Sequence, residues 1–303
     1  VLTREAGFYF YFSRKIRELR ESGHEGTARA YASSLRSMQR YLGKKDFPFI
    51  KLSSRIISDY QGKLLASGIC DNTIGFYLHN IKALFRKGCR EMGLELPCPF
   101  RDISIKTEKT LKRSLDPVVI KTLSAIELEK DSPLSLARDI FMFSFYTRGM
   151  SFVDIALLKK RHVFPGEICY RRHKTDQLMR VGINKEISRI LERYKNVPGE
   201  YIFPLFPAER DPYAGYRNAY HRIRYSLGKI SRVIGLEFPL RLHAARHSWA
   251  TIAKVNGASV HVIGECLGHT SEKTTRIYLK ELDHSALDAV NNQVADFILA
   301  VDD

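Results

Sequence analysis

Apolar side chains recur at intervals of three and four at Ala28, Tyr31, Leu35, Met38 and Leu42, while Arg29, Arg36 and Arg40 fall on other faces. That spacing is the period of an amphipathic α-helix with one buried stripe. A similar segment runs from about Ser54 to Ala66, carries Ile57, Tyr60 and Leu64, and stops at Gly68. A longer one opens at Asn72, a good cap, and sets Ile74, Tyr77, Leu78, Ile81, Leu84 and Phe85 along one stripe before Gly93. The first hundred residues therefore predict four helices.

Between Leu94 and Ser114 the periodicity breaks, and Pro97 and Pro99 are followed by Lys106, Lys109, Lys112 and Arg113. Proline followed by a basic run predicts a linker, assigned here to residues 106–114. It separates a helical domain, 1–105, from a second domain, 115–283. The second domain opens at Asp116-Pro117, a cap with proline at the first helical position. An apolar helix follows from about Leu134 to Tyr146, and Ser151 with Asp154 then reads as a capping-box variant. Glu167–His173 and Gln177–Ile183 alternate as strands around a Lys174-Thr175-Asp176 turn, so Lys174 is expected at a hairpin tip. Helices near 184–195 and 213–234 lead to three short helices within His243–Tyr278, punctuated by Gly257 and Gly268. The tail, 284–303, sets Leu287, Val290, Val294, Phe297 and Val301 on one stripe that must dock somewhere. The fold class expected is mainly α with a small β-sheet, α+β, in two domains.

Composition narrows the partner more than the fold. The chain has 303 residues, long enough for two sizeable cores, and its 44% apolar content is ordinary for a globular protein. Lys and Arg outnumber Asp and Glu by 49 to 33, a net +16. Such a balance points to a polyanion. The basic residues are spread over many segments and do not line one amphipathic helix, so nucleic acid is favoured over an anionic membrane. Five scattered cysteines with no CxxC spacing suggest neither a disulfide framework nor a zinc knuckle, and fit a reducing compartment. No stretch approaches a membrane span, and VLTREAGFYFYF does not read as a signal peptide. A cytoplasmic location, in a bacterium at the nucleoid, is the expectation.

The chemistry concentrates in the last third. His243 and Arg246, three apart, share a helix face; His269 follows Gly268 in a turn; and Tyr278 sits on a helix that Ser271 caps. A guanidinium donates two parallel hydrogen bonds to phosphate oxygens and keeps its charge, and a phenol is a nucleophile. Together these groups suit metal-free attack on a phosphodiester. Each has a duller reading alone: a half-buried tyrosine, a salt-bridged arginine, satisfied histidines. His243 and His247, four apart, could suggest zinc, but the Glu of HExxH is missing and no third ligand is evident.

His243-Ala-Ala-Arg246, then Leu267-Gly268-His269, then a tyrosine nine residues later at Tyr278, closely resembles the tyrosine recombinases, the phage integrase family. The resemblance implies that Tyr278 attacks the scissile phosphate, leaving a 3′-phosphotyrosyl link and a free 5′ hydroxyl. Arg246, His243 and His269 would then act at that phosphate, and Lys174 would be the general acid for the departing 5′ oxygen. It also implies an N-terminal four-helix core-binding domain gripping duplex DNA at attachment sites, a synaptic homo-tetramer, accessory DNA-bending proteins as possible partners, and no cofactor or metal. The tail helix becomes a candidate for docking on a neighbouring protomer, with packing on its own domain as an equal alternative.

One position departs from the family pattern. Where TGxR is usual the chain reads Thr147-Arg148-Gly149-Met150-Ser151, which puts Ser151 at the arginine position. Either Arg148 reaches the phosphate from the preceding turn or the site works with one arginine fewer, and the second guanidinium is assigned to Arg148. The function expected is a site-specific recombinase or integrase acting on a mobile element. The alternatives are a type IB topoisomerase, which shares the chemistry, and a non-catalytic DNA-binding protein.

Overall fold

The computed structural model describes residues 7–106, 108, 114–206, 212–269, 271–279 and 294, with backbone alone at 212–214, 277 and 278. The chain divides into two compact units, Val1–Thr110 and Leu111–Asp303. Apart from Val294, the predicted tail helix lies outside the described residues, as do Lys109, Lys112 and Arg113 of the linker. Among the described residues, no helix is long and apolar enough to cross a membrane.

The first unit holds four α-helices among its described residues: α1 (Phe8–Glu21), α2 (Glu25–Leu42), α3 (Ser54–Ala66) and α4 (Asp71–Met92). Their predicted stripes face inward, with Ala28, Leu35, Met38, Ile57, Tyr60, Leu64, Ile74, Leu78, Ile81 and Leu84 all buried. Phe8, Tyr9, Tyr11 and Phe12 form the buried first turns of α1 while Phe10 stays exposed. Asp46 caps that helix from a distant loop, accepting from the backbone N–H of Tyr9 (2.8 Å) and Phe10 (2.9 Å). Two expectations shift. Asn72 does not cap α4, which starts one residue earlier behind Cys70. Its amide instead pairs with the Glu108 backbone in both directions, at 3.0 and 3.1 Å. Leu94 and Phe100, in the stretch where periodicity breaks, are buried in the core of this unit.

In the second unit α5 (Pro117–Ala125) follows the Asp116 cap, whose carboxylate accepts from Val118 N–H at 2.8 Å. The centre is α6 (Pro133–Tyr146), in which Ala137, Ile140, Phe141, Met142 and Phe143 are all buried. A helix apolar on so many faces belongs inside a core. Each buried phenylalanine contributes about 1.5–3 kcal/mol of burial. Its one buried carboxylate, Asp139, is held by Arg138 (2.6 Å), Arg193 (2.5 Å) and the Tyr194 hydroxyl (2.9 Å).

After α7 (Phe152–Ala156) come β1 (Val163–Phe164), β2 (Glu167–Arg171) and β3 (Leu178–Gly182), an antiparallel sheet in the order β1-β2-β3. Tyr170 pairs with Met179 and Ile168 with Val181, and all four are buried, so one face of the sheet packs on the core. The helices α8 (Lys185–Tyr194), α9 (Pro212–Val233), α10 (Leu242–Val255), α11 (Val260–Leu267) and α12 (Glu272–Tyr278) complete the unit. These elements match the expected mainly helical architecture with a small sheet.

Candidate active site

The turn after α6 is pinned first. Thr147 Oγ1 donates to the Phe143 carbonyl (2.6 Å), Gly149 N–H to Ser144 O (2.7 Å), and Ser144 Oγ to Met150 O (2.8 Å). Arg148 and Gly149 both adopt left-handed backbone, with φ of 59° and 74°. Glycine is required at the second of these: a Cβ there would lie 2.5 Å from Arg246 Cγ. Ser151 caps α7 and donates to the buried Asp154 carboxylate at 2.6 Å. The other Asp154 oxygen accepts from His173 N–H at 2.8 Å. The residue at the usual arginine position thus helps tether the hairpin that carries Lys174.

The helix α10 lays Ala244, Ala245, Ser248 and Ala250 against the core, and these small residues admit Arg246 at 4% exposure. Its Nη1 donates to Gly149 O (2.8 Å), and its Nη2 to Leu267 O (2.5 Å) and to His269 Nε2 (3.0 Å). One guanidinium therefore joins the turn after α6, the C-terminus of α11 and an imidazole. Gly268, left-handed at φ 64°, ends α11 and turns the chain so that His269 projects. His269 Nδ1 lies 3.0 Å from the Thr275 hydroxyl on α12. Tyr278 is the last residue of α12, one turn beyond Thr275, and its side chain lies outside the described residues.

Both imidazoles are held neutral. Burial, then the charges of Arg246, Arg172 and Lys174, lower His269 to about 4. Burial, then His247, Arg246 and Lys174, lower His243 to about 4, although His243 keeps an exposed side at the rim of α10. His243 also meets His247 edge-on, with ring centroids 4.7 Å apart. Among the described residues no third metal-ligating side chain joins this pair.

Lys174 sits exposed in the turn between β2 and β3, and its charge acts on both His243 and His269. The connection is longer than predicted, because β2 ends at Arg171 and β3 begins at Leu178. Arg172 N–H bonds Gln177 O at 2.8 Å, and the Arg172 carbonyl accepts from Thr175 (3.3 Å) and Asp176 (2.8 Å). Arg148 reaches toward Arg180 O at 3.5 Å and adds its charge to the field around the buried Tyr170 hydroxyl. Burial and the Asp154 carboxylate raise that phenol well above its ordinary range. Two features escape a reading of the sequence. Arg172 crosses from the hairpin to bond the Gly268 carbonyl. The outer face of α9 forms a shallow hollow of about 290 Å³ lined by His221, Arg224, Tyr225, Gly228, Lys229, Arg232 and Arg241. The first lacks a sequence motif; the second shows in retrospect as cations at helical spacing.

Residues 114–284 match the phage integrase family, and residues 7–100 match the phage integrase SAM-like domain. Tyrosine recombinase XerC of Shewanella oneidensis is 26% identical over 226 residues, covering 71% of this chain and 70% of that protein. The Tn1549 transposon integrase, solved in complex with transposon right end DNA, has a TM-score of 0.69 at 15% identity, covering 96% of this chain and 100% of that one. Lambda integrase, solved as a tetramer bound to a Holliday junction, has a TM-score of 0.63 at 16% identity, over 92% and 80%. The two solved structures establish the fold, and the family match spans more than half the sequence. The chain belongs to the phage integrase family and is a tyrosine recombinase.

Proposed function

We propose that this chain cleaves and rejoins DNA at specific sites, for integration or excision of a mobile element, through a 3′-phosphotyrosyl intermediate on Tyr278. The observation that carries the reading is the Arg246 guanidinium, locked between Gly149, Leu267 and His269, in a field of positive charge that Lys174 extends. Such a site stabilises the charge that develops on a phosphate under attack. Tyr278 displaces the 5′ oxygen, forming a phosphotyrosine bond as the P–O5′ bond breaks. Lys174 protonates the leaving oxygen, and reversal with a new 5′ hydroxyl rejoins the strand. Neutral His243 hydrogen-bonds at the phosphate, neutral His269 holds the Arg246 guanidinium in place for it, and Arg148 supplies a second guanidinium.

The DNA backbone runs across the cationic outer face of α9 toward Arg241, at the N-cap of α10, and the four-helix unit grips the same duplex. Phosphate contacts of this kind position the protein, and base contacts specify the site. The working form is a homo-tetramer on paired sites in the bacterial cytoplasm, aided by DNA-bending proteins. Solved structural neighbours bound to transposon right end DNA and, as a tetramer, to a Holliday junction support the DNA partner and the tetramer.

The test is a nicked duplex carrying the sequence that flanks the element's ends. A covalent adduct that Tyr278→Phe abolishes is expected, and a binder without chemistry forms none. Strand exchange between two duplexes, as against relaxation of supercoils alone, separates the recombinase from a type IB topoisomerase.

A further inference from the structure

We infer that Arg172 is a phosphate-binding residue of this site, adding beside His269 a further guanidinium to those of Arg246 and Arg148. The inference rests on the reading of Tyr278 as nucleophile. Arg172 is the first residue beyond β2, and its backbone closes the hairpin turn through bonds to Thr175, Asp176 and Gln177. From that fixed base its Nη1 crosses to the carbonyl of Gly268, the residue before His269. The same turn holds Lys174 two residues on, so one rigid loop brings two cations to the imidazole that Arg246 already touches.

Its neighbour shows what an ordinary surface arginine looks like here. Arg171 is exposed and pairs with the Asp176 carboxylate at 3.3 Å. Arg172 is half-buried and makes no salt bridge among the described residues. The charges of Arg246, Arg172 and Lys174 all act on His269. Arg172, Lys174 and Arg246 together concentrate positive charge at one imidazole, and a phosphodiester is the anion this site handles. A guanidinium bonded once through Nη1 keeps further N–H donors for two phosphate oxygens. Ser151, at the family's arginine position, is meanwhile committed to Asp154.

The competing role is purely mechanical, with Arg172 only tying the hairpin to Gly268. Single-turnover cleavage separates the two on matched nicked duplexes, one with a normal scissile phosphodiester and one with a neutral methylphosphonate there. If Arg172 neutralises the phosphate, Arg172→Ala slows cleavage of the phosphodiester by roughly 10²-fold. On the methylphosphonate, which has no charge to neutralise, the deficit shrinks to a few-fold, and Arg172→Lys recovers part of the rate on the phosphodiester. An equal deficit on both substrates, or no deficit on either, overturns the inference. Comparing two substrates on one preparation cancels any loss of folded enzyme. If the unaltered chain yields no Tyr278-dependent adduct on either duplex, the parent reading fails and takes this inference with it; an adduct with an unchanged Arg172→Ala rate sinks the inference alone.

Discussion

Arg246 Nη2 lies 3.0 Å from His269 Nε2, and this contact assigns the imidazole's proton. A guanidinium only donates, so Nε2 accepts and the ring is neutral, with its hydrogen on Nδ1 facing the Thr275 hydroxyl at 3.0 Å. The lowered pKa of His269 has the same physical origin: protonation would put a second cation against Arg246 in a partly buried site.

Acid should therefore loosen the fold before carboxylates titrate. His243 and His269 fall from 6.5 to about 4 in the folded chain, so above pH 6.5 both are neutral folded or unfolded and their contribution is fully present. As pH falls from 6.5 toward 4, the unfolded chain takes up protons that the folded one refuses, and stability is lost. Melting temperature measured from pH 7.5 to 5 should drop, and His269→Gln should flatten part of the slope. A flat profile in the unaltered chain contradicts the neutral assignment.

Gly149→Ala tests the fit of Arg246. The added methyl meets Arg246 at 2.5–2.8 Å and imposes φ 74° on an L-residue. Overpacking and left-handed strain together cost about 2–5 kcal/mol. Covalent adduct formation should fall as well, because displacing Arg246 moves the guanidinium proposed to hold the phosphate. Melting and cleavage assays on the same protein check both halves.

Arg148 occupies a left-handed backbone at φ 59° that a non-glycine residue holds at a cost of about 1–2 kcal/mol. Strain retained beside an active site suggests that the side chain is needed. Arg148→Gly should melt at or above the unaltered temperature, keep DNA binding in a gel-shift assay and lose the covalent adduct. Normal cleavage by this variant removes Arg148 from the phosphate.

The α9 hollow predicts a salt signature. Arg224 and Arg232 are exposed on the face opposite buried Ile223, Leu227 and Ile230. Replacing either by Ala should leave melting unchanged and lower the slope of log K against log salt by about 0.9 for each phosphate that the removed side chain neutralises. Unchanged slopes in both variants place the duplex elsewhere.

Much of the molecule is legible as one-dimensional pattern. Stripes at three and four spacing mark α2, α3 and α4, glycines and serines bound α10 through α12, and the HxxR, LGH and tyrosine spacing names the family, because helical periods and caps are local consequences of residue order. What depends on distant partners is not legible. Asn72 reads as a cap in the sequence, yet its amide is taken by the Glu108 backbone, and Asp46 caps α1 from a loop no local rule connects to it. The site divides the same way. His243, Arg246, His269 and Tyr278 declare themselves by spacing, whereas the tether from Ser151 through Asp154 to His173, the crossing of Arg172 to Gly268 and the neutral state of His269 exist only once α6, the hairpin and α11 pack together. Hydrogen bonds and charge fields act through space, and folding alone decides which residues are near enough to feel them.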